Sequence, residues 1–261
     1  MNKVTPAELW LTIAPEWIQN LPAWLEDILF KGYKCFIYGD RYMLFLKGLK
    51  NTLILTFFAL LIGIALGIVV SLTRVSWDKN GSEMHGPAKW VLGFFNIIGK
   101  IYLTVIRGTP VVVQIMIMFF VVFASSRNKI LVGCLCFGIN SGAYVAEIFR
   151  SGIMSIDAGQ TEAGRSLGFG YIPTMRYIIL PQAFKNVLPT LGNEFIVLLK
   201  ETSVACYVAV NDLTKGGEII RSQTYIQAMP LLIVAALYLI MVVFFSHLVS
   251  KLERRLRSSD H

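Results

Sequence analysis

Long apolar stretches alternate with short polar connections punctuated by glycine and proline. The apolar runs fall at about 51–74, 89–124, 131–152, 191–210 and 228–250. About 20 such residues cross a bilayer core of about 30 Å. In lipid every backbone polar group needs an internal partner. The pattern therefore predicts an all-α integral membrane protein with five transmembrane helices. The second run is interrupted at Arg107-Gly108-Thr109-Pro110. As one helix, 89–124 would reach about 54 Å, well beyond the core. Two full crossings would need a hairpin within four residues. A single tilted, broken helix that starts in the interface is expected instead.

Residues 1–46 form a leader of a different kind. Trp10, Trp17 and Trp24 fall seven apart among charges and Pro6, Pro15 and Pro22. That spacing places them on one helical face, and tryptophan favours the membrane interface. The expectation is an interfacial helix, followed by a transmembrane domain over 47–257. The longest polar connection is 155–190. Glu162 to Leu167 suit a short helix there, with Gly168 as its left-handed stop. Pro173 can open a second helix, Pro181 end it, and Pro189 set the entry to the fourth span. Two short helices around a glycine corner make a knob. Ala163 and Gly164 would allow close approach of a partner, with Leu167 and Phe169 as apolar anchors and Glu162 and Arg165 as a polar rim.

Basic residues orient the chain. Loop 74–89 has three Lys or Arg, segment 150–190 four and the tail 251–257 four, whereas the opposite loops have Arg127, Lys129, Lys215 and Arg221. The positive-inside rule makes the first set, including the 155–190 loop and the C-terminus, cytoplasmic. The six Lys and Arg before the first span (Lys3, Lys31, Lys34, Arg41, Lys47 and Lys50) run against this, because five crossings put them outside.

Composition agrees with a membrane protein: 261 residues, 55% hydrophobic and only 15% charged, with a net charge of +8 and a mean hydropathy of +0.62. The charge is dispersed and no aromatic-basic cluster accompanies it, which argues against nucleic acid as a partner. No basic start followed by an apolar core, the form of a signal peptide, marks residues 1–30. Cys35, Cys134, Cys136 and Cys206 lack metal-clip spacing and suit small apolar filler. His85, His247 and His261 are too scattered for a metal cluster. The sequence from Gly81 to Gly86 continues Pro87-Ala88, where a phosphate-binding loop needs Gly-Lys-Ser/Thr. Nor is there a dinucleotide, zinc-protease or serine-hydrolase motif. The chain is not expected to be an enzyme or to bind a cofactor of its own.

Charge inside apolar runs points to transport, since each charge at a helix centre costs about 2.5–3.5 kcal/mol. The fourth run carries Asn193, Glu194, Lys200, Glu201 and Ser203. Glu194 and Glu201 lie two helical turns apart on one face, with Asn193 and Lys200 beside them. They line a pathway or form structural ion pairs. Glu147 pairs locally with Arg150 at i+3. At the break, Thr109 can cap and Pro110 start the next half-helix. Its positive end, with Arg107 and Gln114 near, would favour a carboxylate, or the break is a plain proline kink. Arg107, Thr109, Gln114, Asn193, Glu194, Lys200, Glu201 and Ser203 are the pathway candidates.

Four blocks carry a family resemblance: RGTPVVVQ at 107–114, NSGAYVAEIFRSGI at 140–153, EAGRSLGFGYIPTMRYIILPQAF at 162–184 and LGNEFIVLLKETS at 191–203. In this order they resemble the polar amino-acid ABC-importer permeases, of the histidine, glutamine, glutamate and arginine type, over about 44–255. The family pattern has alanine where this chain has Gly164, and Val-Pro-Glu where it has Val210-Asn211-Asp212. The resemblance implies the type I importer permease fold in the bacterial cytoplasmic membrane. It implies an ATPase-coupling loop through Glu162, Ala163, Gly164, Arg165, Leu167, Gly168 and Phe169. It also implies a second permease copy or homologue, two ABC ATPase subunits that use ATP and Mg, and an extracytoplasmic amino-acid-binding protein. The competing expectation is an ion-coupled transporter relaying protons or cations through Glu147, Glu194 or Glu201. An inverted repeat would favour it, and none is found.

Overall fold

The computed structural model describes residues 5–15, 18, 21–82 and 84–257. Among them all regular structure is helical: α1 (Pro6–Ile13), α2 (Ala23–Phe36), α3 (Tyr42–Asn80), α4 (Pro87–Gly108), α5 (Val111–Ile117), α6 (Lys129–Met154), α7 (Ala158–Ser166), α8 (Tyr171–Thr174), α9 (Leu180–Glu201), α10 (Leu213–Thr224) and α11 (Ala228–Arg257). Four of these, α3, α4, α6 and α11, are long and apolar enough to cross a membrane. At 22 residues α9 has the length, about 33 Å, but its charges and amides keep it below the apolarity of those four.

Helix α6 is the axle. It is buried along most of its length and packs chiefly on α3 and then on α9. Small residues let the backbones close. A Cβ on Gly67 of α3 would stand 2.6 Å from Val145 Cγ1, and one on Gly138 of α6 would stand 2.6 Å from Ile62 Cβ. Between membrane helices such packing, rather than escape from water, drives association. Leu55, Ile115, Phe137 and Leu198 close one core around α6, while Phe45, Leu199, Ile220 and Val234 close another that joins α3, α9, α10 and α11. The cysteines Cys35, Cys134 and Cys136 lie buried in these cores and Cys206 is half-buried, all as free thiols.

Several helix limits differ from the sequence pattern. Helix α3 begins at Tyr42, and α9 begins at Leu180, so Pro181 opens α9 rather than ending a helix, and Pro189 lies inside it. A π turn at Met175–Ile179 leads from α8 straight into α9. This wider turn absorbs the register that Pro181 would otherwise break. At its other end α9 stops at Glu201 and a 3-10 segment carries on through Thr202–Val208.

Among the described residues the leader contains two separate helices, α1 and α2, rather than one. Thr5 and Glu8 cap α1 reciprocally: the Glu8 amide donates to Thr5 Oγ1 and the Thr5 amide to Glu8 Oε2. Trp10 is buried against Phe30 and Tyr33 of α2, with ring centroids 5.8 and 5.3 Å apart. Trp24 is exposed on α2. The two tryptophans therefore do not share a helical face, and Trp17 lies outside the described residues. Helix α2 rests on α10 and α11.

Candidate translocation path and coupling surface

The helix break is held by one side chain. Pro110 has no N–H to give to the carbonyl of Ile106, four residues back. Gln114 Nε2 donates to that oxygen at 2.8 Å, and also to Thr109 O at 3.1 Å and Thr109 Oγ1 at 2.8 Å. Thr109 Oγ1 itself donates to Val105 O. The other end of the Gln114 amide, Oε1, accepts from Asn140 Nδ2 of α6 at 2.9 Å. Pro110, not Thr109, occupies the N-cap of α5, and α5 is only seven residues long before a π turn at Met118–Val122.

At the next residue of α6, Ser141 Oγ donates to Glu194 Oε1 of α9 at 2.8 Å. A Cβ on Gly63 would lie 3.0 Å from Ser141 Oγ, so α3, α6 and α9 meet at this level. Gln114, Asn140, Ser141 and Glu194 thus form a polar layer across the helices. Burial there makes each bond matter more, because an unpaired partner has no water to turn to.

The remaining candidates separate. Arg107 does not join Gln114. Its guanidinium sits 5.7 Å from the centroid of the Tyr144 ring. It lines a different cavity, with Arg74, Lys100 and Glu147, from the one lined by Thr109 and Gln114. The single anion site expected at the break is therefore not assembled, because Gln114 is turned inward to the orphan carbonyl. On α9, Asn193 and Lys200 are exposed and share an open face with Val197, while Glu194 and Glu201 are half-buried. Ser203 lies in the 3-10 segment. Glu147 is paired locally: Arg150 Nη2 reaches its Oε2 at 2.9 Å and Nε reaches both oxygens.

Between α6 and α9 the polar connection builds a knob, seated on the helices through Met175 and Ile179, which pack with Val75, Ile153 and Ala183. Asp157 caps α7 by accepting from the Gly159 amide at 2.7 Å. The other end closes as a Schellman motif. The Phe169 amide donates to Gly164 O and the Gly168 amide to Arg165 O, with Gly168 at φ +82°. Glu162, Ala163, Arg165, Leu167, Gly168 and Phe169 are all exposed, but Gly164 is buried. A Cβ there would meet Thr174 Cγ2 at 2.8 Å and Oγ1 at 2.9 Å. Gly164 serves the crossing of α7 over α8 inside the knob, not the approach of a partner, and this explains why glycine stands where the family pattern has alanine. Leu167, Ile172 and Tyr177 are left 73%, 74% and 66% exposed.

The sequence offered Asn140 and Ser141 only as part of the block at 140–153, and Asp212 only as a departure from the family's Val-Pro-Glu, with no role for any of the three. The structure buries Asp212 completely as the N-cap of α10, where it accepts from the Thr214 amide at 3.0 Å and the Lys215 amide at 2.9 Å. The Leu213 amide donates to Thr52 Oγ1 of α3, and the Tyr238 hydroxyl of α11 lies 3.5 Å from Asp212 Oδ2. Its role is positional. An aspartate immediately before a helical run was the available signal.

This helical framework and its projecting knob define a membrane permease subunit. Residues 88–258 match the family described as the binding-protein-dependent transport system inner membrane component, and the chain belongs to that family. It is the permease of an ABC importer, not an enzyme, and a separate subunit hydrolyses ATP. Among proteins similar to it, the arginine transport system permease ArtQ of Bacillus subtilis (strain 168) is 34% identical over 218 residues, 82% of this chain and 93% of that protein. The glutamine transport system permease GlnP of Escherichia coli (strain K12) matches with the same identity and coverage. The crystal structure of an amino acid ABC transporter with histidines has a chain 42% identical to this one. The match covers 82% of this chain and 94% of that one with a TM-score of 0.72. An inward-facing MetNI methionine transporter shares the fold at 20% identity, covering 84% of this chain and 99% of its own, with a TM-score of 0.69.

Proposed function

We propose that this chain carries amino acids inward across the bacterial cytoplasmic membrane as one of a pair of permeases, identical or homologous. Two ABC ATPases, using ATP and Mg, sit beneath the pair, and an extracytoplasmic amino-acid-binding protein delivers the cargo. The observation that carries this reading is the knob of residues 157–179: it holds its own shape by caps while leaving Leu167, Ile172 and Tyr177 open. An exposed apolar cluster on a charged rim fits a docking partner. The knob and the C-terminal tail face the cytoplasm, in keeping with the basic residues of 150–190 and 251–257.

The leader over 1–46 is an added extracytoplasmic element on a transmembrane domain over 47–257 with five crossings, α9 serving as the fourth. Its open face at Asn193, Val197 and Lys200 is covered by the second permease. Closure of the ATPase dimer would draw the knobs together and tip the helices, so that the polar layer of Gln114, Asn140, Ser141 and Glu194 opens alternately to each side. Glu201, Ser203 and Thr109 lie along the same route.

The test is uptake by vesicles containing the full set of subunits, supplied with ATP and a protonophore. ATP-dependent uptake of an amino acid that survives collapse of the proton gradient is expected. Uptake that follows the gradient and ignores ATP would overturn the reading.

A further inference from the structure

A second polar site lies beside the layer described above. A cavity of about 560 Å³ between α3, α4 and α6 is lined by Arg74, Lys100, Thr104, Arg107 and Glu147. Lys100, Thr104 and Arg107 recur at helical spacing along one face of α4. The neighbouring face of the same helix exposes Phe94, Ile97, Ile101 and Val105. One side of α4 thus suits hydrocarbon, and the other does not.

The charges in this cavity do not balance. Both oxygens of Glu147 are engaged by Arg150. Among the described residues none of Arg74, Lys100 and Arg107 has a carboxylate within 4.0 Å. Arg74 Nε is buried without a hydrogen-bond partner; Arg107 lies against the face of Tyr144, and both arginines feel Glu147, already paired with Arg150, only from a distance. Three cations gathered beside apolar helices are costly unless an anion joins them. A guanidinium or ammonium group meets carboxylate oxygens with charge-assisted hydrogen bonds about twice as strong as neutral ones.

We propose that this cavity is a station for the carboxylate of the cargo, and that it favours acidic amino acids over cationic ones. The proposal rests on the importer reading above and narrows its substrate class. One feature favours cargo over a lipid headgroup: the cationic face ends at Gly108, next in sequence to Thr109 of the Gln114 layer, rather than in the apolar stripe.

The experiment uses the permease–ATPase complex in nanodiscs of phosphatidylcholine alone, with equilibrium binding of L-glutamate and L-arginine to wild type, Lys100→Gln and Lys100→Arg. L-Glutamate is expected to bind wild type more tightly than L-arginine, to weaken about tenfold in Lys100→Gln and to recover in Lys100→Arg. No glutamate binding, tighter arginine binding, or equal glutamate affinity in Lys100→Gln overturns the proposal. So does a site that fills only when phosphatidylglycerol is added, which would assign it to lipid. Co-purification of the ATPase with wild type reports separately on the importer reading, so the two failures are distinguishable.

Discussion

Helix α6 and the knob that follows it use polar residues in opposite ways. In α6, Asn140 and Ser141 are buried and reach outward to other helices, binding Gln114 at 2.9 Å and Glu194 at 2.8 Å. In the knob, Asp157 and the turn at Gly168 satisfy only the knob's own backbone, and apolar Leu167 and Ile172 face out. A membrane interior makes polar groups the source of specificity between helices. In water the same task falls to apolar groups. One region aligns helices, and the other, on the function proposed above, is gripped by a partner.

The contrast should break most severely at the α3–α6 contact. Gly138→Leu places a side chain where Ile62 already stands 2.6 Å from a Cβ. Overpacking of this kind costs about 1–3 kcal/mol or more, and a fall in the thermal midpoint of the detergent-solubilised protein should show it. Next in size is Gly164→Ala, which should destabilise the knob by about 1–3 kcal/mol through Thr174. The double variant with Thr174→Ala should regain most of that loss, and a coupling energy near zero in the double-mutant cycle would refute the packing explanation.

Ser141→Ala sharpens the comparison from the other side. It removes the hydrogen bond that joins α6 to Glu194. A bond to a charged group is worth about 1.5–3 kcal/mol. Uptake should fall several-fold while the ATPase still co-purifies, and normal uptake would take Glu194 out of the pathway. The smallest effect is expected for Glu147→Gln. Its pair with Arg150 is partly exposed, the two side chains being 26% and 35% accessible, so a stability change of no more than about 1 kcal/mol should appear in the same melt.

Much of this was legible in the sequence because the signals were local. Gly168 as a left-handed stop, the Glu147–Arg150 pair and the break at Pro110 each follow from a few neighbouring residues. What was not legible depends on partners far along the chain. The break read either as an anion site near Arg107 and Gln114 or as a plain proline kink; the carbonyl that Pro110 orphans draws Gln114 inward, away from Arg107. Gly164 read as room for a partner, whereas it makes room for Thr174. Pro181 read as a stop, and a π turn carries the helix past it. The leader's regular tryptophans suggested one helix, yet Trp10 packs into a helix pair.

The central claim is that the knob couples this permease to an ATPase while the polar layer aligns the helices. The most direct measurement is capture of the partner ATPase by the purified permease, wild type beside Leu167→Asp, with the thermal midpoint of each permease recorded. The account predicts capture by wild type, loss of capture in the variant and matching midpoints, since Leu167 is 73% exposed. Undiminished capture by a well-folded Leu167→Asp permease would contradict it.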